Sequence, residues 1–293
     1  MAMDIEALLS HEFPAVKYTY SARDASLYAL TVGFGQDPMD ARQLQYVYGD
    51  HPKTAASMAL VMANPGFWQK ESWTGIDWVR CLLGEQRLEL HRPLPASGTV
   101  IGQLRVTGVA DKGKDFGALL YSERRLKDAS SGELLATLSM VTICRGDGGF
   151  GGVPAGAGRP LDPPDRAPDA VCELATLPQQ ALLFDLHGIV NPVHSLPSAA
   201  REAGHDRPFL HGICTLGFAH HALARELADY DGDGIRSISA RFKKVVYPGE
   251  TLVTEIWTAG SEAVYRVRVK ERGVIAVAGV AQLADSIERG SRA

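Results

Sequence analysis

The stretch "GDGGFGGVPAGAGRPLDPPDRAPDA", residues 146–170, constrains this chain more than any other. Gly, Pro, Asp and Ala dominate it, and no apolar periodicity runs through it. Glycine is entropically loose and proline lacks an amide donor, so such a segment sustains neither a helix nor a strand ladder. It reads as a partly extended linker that cuts the 293 residues almost in half. Two units of roughly 150 residues are each long enough to bury a core. The expected division is 1–150, a connector over 151–170, and 171–293.

The halves repeat an order of events. A helical region opens each: "SARDASLYALTVGFG" in one, "LPSAAREAGHDRPFLHGICTLGFAHHALARELA" in the other. Strand-like runs follow. In the first half they are "TVIGQLRVTGVADKGKDFGALLYSERRL" and "ELLATLSMVTICR". In the second they are "SISARFKKVVYPGETLVTEIWTAG", "AVYRVRVKER" and "GVIAVAGVAQLA". Tyr265, Val267 and Val269 alternate with Arg266, Arg268 and Lys270, the pattern of a half-exposed strand. "GKD" and "AGSEA" supply turns. A local echo joins the halves, because "HRPLPASGTV" and "KVVYPGETLV" both carry proline, Gly and Thr before a strand. The expected class is α+β: a long helix wrapped by an antiparallel sheet, made twice.

Bulk properties exclude several classes. A net charge of -4 gives no reason to expect nucleic acid or an acidic membrane as partner. The opening "MAMDIEALLSHEFP" lacks a basic start and apolar run, so no secretory signal is expected. No stretch approaches the roughly 20 apolar residues of a membrane span. The final Ser-Arg-Ala resembles a Ser-Lys-Leu tag only loosely. Cys81, Cys144, Cys172 and Cys214 form no CxxC pair and read as free thiols, which makes the cytoplasm the expected compartment. No metal is expected, since His and acidic residues near His194 lack ligand spacing. "DYDGDG", residues 229–234, looks like a calcium loop but lacks its remaining ligands, so a helix-ending turn is expected.

Chemistry concentrates in "LHGIVNPVHSLPSAAREAGHDRPFLHGICTLG", residues 186–217. A helix is expected to begin near Ser195 to Ala200, with Ser198 as N-cap and Pro208 as its stop. A second runs from about Cys214 through Ala228, with Leu216, Leu223 and Leu227 on one apolar side. His211-Gly212 sits at its start, where the first amides lack intrahelical partners and the dipole is positive. Such an end can hold a carbonyl oxygen that gains charge, and glycine leaves the approach open. His194 is the natural proton carrier. Asn191 offers both a donor and an acceptor for a water. The structural alternative stays open at this stage, with Asn191 making an Asx-turn and Gly212 only a tight turn.

Seven segments carry a family resemblance. They are "YSARDASLYALTVGFG", "LLGEQRLELHRPLPASGTV", "VADKG", "GGFGG", "NPVHSLPSAAREAG", "RPFLHGICTLGFA" and "ARFKKVVYPGET". Together the chain resembles the hydratase 2 family, the (R)-specific 2-enoyl-CoA hydratases of the MaoC-like hot-dog superfamily. The resemblance implies a double hot-dog fold, a non-catalytic first half that accommodates the acyl chain, and an active second half. It implies His194 as catalytic histidine, Asn191 as holder of water, and Gly212 as amide donor to the thioester oxygen. Arg241, Phe242 and Lys244 fall in the segment implied to contact coenzyme A. The implied partner is an acyl-CoA thioester in a homodimer, with no cofactor beyond the coenzyme A of the substrate.

One departure bears on the reaction. Where the family reads "LSGDxNPLH", this chain has Leu186-His187-Gly188-Ile189-Val190-Asn191-Pro192-Val193-His194. Ile189 stands at the position of the catalytic aspartate and can neither accept a proton nor orient water. It also dries the pocket, which favours neutral imidazole at His194. Losing one member of an acid–base pair costs roughly 10²–10⁴-fold. His187 is a candidate replacement, and Asp185 a poorer one. Leu83 replaces a family histidine, with little expected consequence in the non-catalytic half. Three readings follow: hydration or dehydration of a CoA thioester, His194-only enolate chemistry such as isomerisation, epimerisation or elimination, and a non-catalytic acyl-CoA binder.

Overall fold

The computed structural model describes residues 3–151, 163–232 and 234–284. Much of the expected connector, 152–162, lies outside them, as do Asp233 and the final Ser-Arg-Ala. The strands among the described residues are β1 (Val16–Tyr20), β2 (Cys81–Leu90), β3 (Gly98–Asp111), β4 (Ala118–Asp128), β5 (Leu134–Cys144), β6 (Ala170–Ala175), β7 (Ile235–Phe242), β8 (Thr251–Ala259), β9 (Glu262–Val269) and β10 (Ile275–Leu283). The α-helices are α1 (Ile5–Ser10), α2 (Ala22–Thr31), α3 (Ala41–Val47), α4 (Gln180–Asp185), α5 (Pro197–Glu202) and α6 (Gly212–Ala228). Among the described residues, no helix is long and apolar enough to cross a membrane.

All the strands pair antiparallel in one sheet of order β1-β3-β4-β5-β2-β7-β10-β9-β8-β6. Read outward from the central β2–β7 pair, the two halves have the same connectivity. The echo seen in sequence precedes β3 and β8, which occupy matching places. The halves join edge to edge, with Glu85 opposite Arg241 and Leu88 opposite Ile238. That pairing covers two strand edges that each half would otherwise leave open. Tyr265, Val267 and Val269 face inward and are fully buried, as their alternation demands. Three strands escaped the sequence reading: β1, β2 and β6. The buried Gln86, Leu88 and Leu90 alternate with Glu85, Arg87 and Glu89, a signal that marks β2.

Among the described residues the long central helix is present once, not twice. In the second half, α6 lies against β6, β7, β8 and β10, buried on nearly every side from Cys214 to Ala224 rather than along one stripe. It ends at Ala228, where Asp229 and Tyr230 turn into the left-handed region, as the "DYDGDG" turn requires. The longest α-helix described in the first half is the ten-residue α2, opened by a Ser21–Asp24 capping box and broken after Val32 at Gly33, φ +90°. The place beside β2, β5 and α6 is taken by a 3₁₀ turn, Ala56–Leu60. One apolar core nevertheless runs through both halves, from Tyr28 and Met58 to Phe218 and Tyr265.

The connector is tied down at both described ends. Asp111 accepts amides from Gly149 at 2.8 Å and Gly151 at 2.6 Å. Asp169 accepts the amide of Thr258 at 2.7 Å, and β6 begins at Ala170. Gly279 is required by close approach: a Cβ there would lie 1.9 Å from the Ser239 carbonyl oxygen and 2.6 Å from the Tyr265 ring. The neighbouring strand's backbone cannot yield, so Gly279→Ala is expected to cost about 3 kcal/mol, the upper end of ordinary overpacking. Calorimetry should show a fall in thermal midpoint of roughly 5 °C.

Candidate active site

The site is built where α4 ends and α6 begins. After Asp185 the chain turns at Gly188, φ +78°. The Asn191 side-chain oxygen then caps a 3₁₀ turn, Pro192–His194, by accepting the Val193 amide at 3.4 Å. The Asx-turn alternative is therefore real, and it leaves the amide nitrogen of Asn191 with no protein partner among the described residues. Pro197, not Ser198, opens α5, because its fixed φ suits the first helical position. That helix stops at Glu202, well before Pro208, where Ala203 and the left-handed Gly204 end it.

His194 Nδ1 lies 2.8 Å from the Phe209 carbonyl oxygen. A carbonyl only accepts, so Nδ1 carries the proton and Nε2 keeps its lone pair. Burial pushes His194 down to about 3, and the neighbouring His211 and His205 push the same way. The Phe209 bond and Asp185 oppose them. The imidazole is therefore neutral at physiological pH. Its ring packs at 3.8 Å between centroids against His211, the residue that precedes α6.

His211 caps α6 without a side-chain hydrogen bond to it, so the Gly212 amide has no protein acceptor among the described residues. His211 Nε2 instead donates to the Ile189 carbonyl oxygen at 2.9 Å. A Cβ on Gly212 would sit 3.1 Å from the Phe242 ring and 3.3 Å from Leu83 Cδ2. Leu83, on β2, therefore walls the start of α6, and the first half contributes to the site. Sequence spacing showed nothing of this, since 129 positions separate the two residues.

The two candidate replacements for an acid at Ile189 change rank. His187 points into the core: its Nε2 lies 3.2 Å from Thr31 Oγ1, and its ring packs against Tyr28 and Phe184. Burial pushes it down to about 4. Asp185 faces the site, bonded by the Ser195 hydroxyl and 3.2 Å from His211 Nε2. Ile189 is half-buried, with its side chain packed against the apolar core and its carbonyl accepting from His211.

The expected coenzyme A segment is divided by strand parity. Phe242 turns inward to Gly212, while Arg241, one residue earlier, faces the opposite side of the sheet and pairs with Glu85 at 2.8 Å. Lys244 is exposed beyond the strand end, with no side-chain partner among the described residues. Within the described residues, no group of three or more His, Cys, Asp and Glu is arranged to hold a metal ion.

Comparison with known proteins matches both halves. Residues 18–146 match the family described as MFE-2 hydratase 2 N-terminal domain, and residues 160–280 match MaoC like domain. The chain is 38% identical to "Enoyl-CoA hydratase 2, peroxisomal" of Arabidopsis thaliana, over 94% of this chain and 93% of that one. It is 37% identical to "3-hydroxyacyl-thioester dehydratase Y" of Mycobacterium tuberculosis, over 92% of each. Its fold matches the crystal structure of a MaoC-like dehydratase from Phytophthora capsici with a TM-score of 0.82 and 28% identity, covering 96% of this chain and 99% of the other. With one half matching each domain and the doubled strand order of a double hot-dog fold in one sheet, the chain belongs to the hydratase 2 family of MaoC-like proteins.

Proposed function

We propose that this protein adds water reversibly to a 2-enoyl-CoA, giving an (R)-3-hydroxyacyl-CoA. The observation that carries the reading is the pairing of His194 Nε2, neutral and without a protein partner among the described residues, with the free amide end of α6. The oxygen of water bonds to the β-carbon as one of its protons passes to Nε2, and Nε2 then hands that proton to the α-carbon on the same face, which returns the imidazole to its neutral form. The charge that develops on the thioester oxygen is met by the Gly212 amide and the positive end of a 17-residue helix. The uncommitted amide of Asn191 supports its role in holding the water. Coenzyme A enters as part of the substrate, and no further cofactor is proposed.

Lys244 is the cation proposed to meet the phosphates, with Phe242 as a wall of the site. Arg241 reaches them only if its pair with Glu85 opens. The proposed assembly is a homodimer and the proposed compartment the cytoplasm, the latter supported by four free cysteines.

The test follows the absorbance of the conjugated thioester with wild type and Ile189→Asp. Turnover is expected from both, and the added carboxylate should raise the rate by roughly 10²–10⁴-fold. Exchange of an α-hydrogen for deuterium without hydration would replace this reading with enolate chemistry. Binding of acyl-CoA with neither event would make the chain a binder.

A further inference from the structure

The frame position expected to hold an acid is apolar, yet a carboxylate reaches the same neighbourhood from four residues earlier. Asp185 accepts the hydroxyl of Ser195, the residue that follows His194, so acid and base are tied to one turn of chain. Its other oxygen, Oδ1, is buried, accepts no hydrogen bond among the described residues, and lies 3.2 Å from His211 Nε2. His211 in turn packs against His194, the two rings tilted by 36°. Helix capping does not explain the residue. As the last residue of α4 it places negative charge at the negative end of that helix, where a cation would be favoured.

We propose that Asp185 is the positioning residue of this site, holding the His211–His194 pair and supplying the negative charge that stabilises His194 while it carries the proton. The proposal rests on the hydration reading above. When Nε2 takes a proton, a cation forms beside His211 and His205, and burial penalises it. Asp185 is an anion that acts on His194, and it favours the protonated form. The single His211 Nε2–H lies within reach of both the Ile189 carbonyl and Oδ1, which fixes the ring's tautomer and orientation. The work done elsewhere by one carboxylate beside the histidine is here passed through a second imidazole.

Asp185→Asn keeps the shape and the bond from Ser195 while removing the charge. It is expected to lower kcat roughly 10–100-fold, less than loss of a direct acid–base partner, with KM nearly unchanged. Asp185→Glu should recover part of the rate, and Asp185→Asn/Ile189→Asp should recover more. Nitrogen-15 spectra of labelled histidine at neutral pH give a readout free of turnover. In Asp185→Asn, His211 should lose its single Nε2-protonated tautomer. A variant that keeps both kcat and this tautomer, changing only thermal stability, overturns the proposal. If neither wild type nor Ile189→Asp hydrates an enoyl-CoA, the hydration reading fails instead, and the tautomer alone decides the role of Asp185.

Discussion

His194→Ala is expected to lower kcat/KM for enoyl-CoA hydration by roughly 10²–10⁴-fold while leaving the protein folded. The residue is partly exposed in a 3₁₀ turn, and its removal frees one carbonyl, that of Phe209. Leaving that acceptor unpaired costs about 1–3 kcal/mol, too little to unfold a domain of ordinary stability. His194→Asn provides the control, because its amide can replace the Nδ1 donor without supplying a base. Both variants should lose turnover, and His194→Asn should keep the wild-type thermal midpoint. The pH profile gives a second check. With His194 held down at about 3, the base form persists far below the ordinary imidazole range, so kcat/KM should show no acid limb near 6.5. Initial rates within tenfold of wild type for His194→Ala would remove this residue from the chemistry.

Acid should unfold the protein steeply, starting near neutrality. Five histidines are held neutral in the folded state. Burial pushes His187, His211 and His220 down to about 4, and His194 and His221 to about 3. In the unfolded chain each titrates near 6.5. Below that value the unfolded state binds more protons than the folded one, so stability falls as pH falls and continues to fall until the folded values are reached. Each histidine contributes about 1.4 kcal/mol per pH unit across that window, and five together on the order of 7 kcal/mol per pH unit. A total stability of roughly 5–15 kcal/mol places the midpoint near pH 5. His220 offers a clean subtraction, since neither ring nitrogen has a hydrogen-bond partner among the described residues. His220→Leu should flatten the dependence by about a fifth, measured as urea stability at several pH values. Constant stability from pH 7 to pH 5 would contradict this account.

The sequence by itself determined the doubled architecture and the segment in which the candidate site residues lie. The Gly- and Pro-rich stretch marks the break between the halves by composition alone, and alternation such as that of Tyr265, Val267 and Val269 needs only a two-residue period to be read. His194, Asn191 and Gly212 lie within 22 positions, so local turns and one helix start were enough to gather them. Tertiary structure alone decided what surrounds them. The ranking of Asp185 and His187 depends on which way a two-residue offset points after α4, and the packing of Thr31 and Tyr28 from the first half takes His187 away. Leu83 and Phe242 meet over Gly212 because β2 pairs with β7. Strand register is a property of the folded sheet, and contacts across 129 residues leave no periodic trace in the chain that makes them.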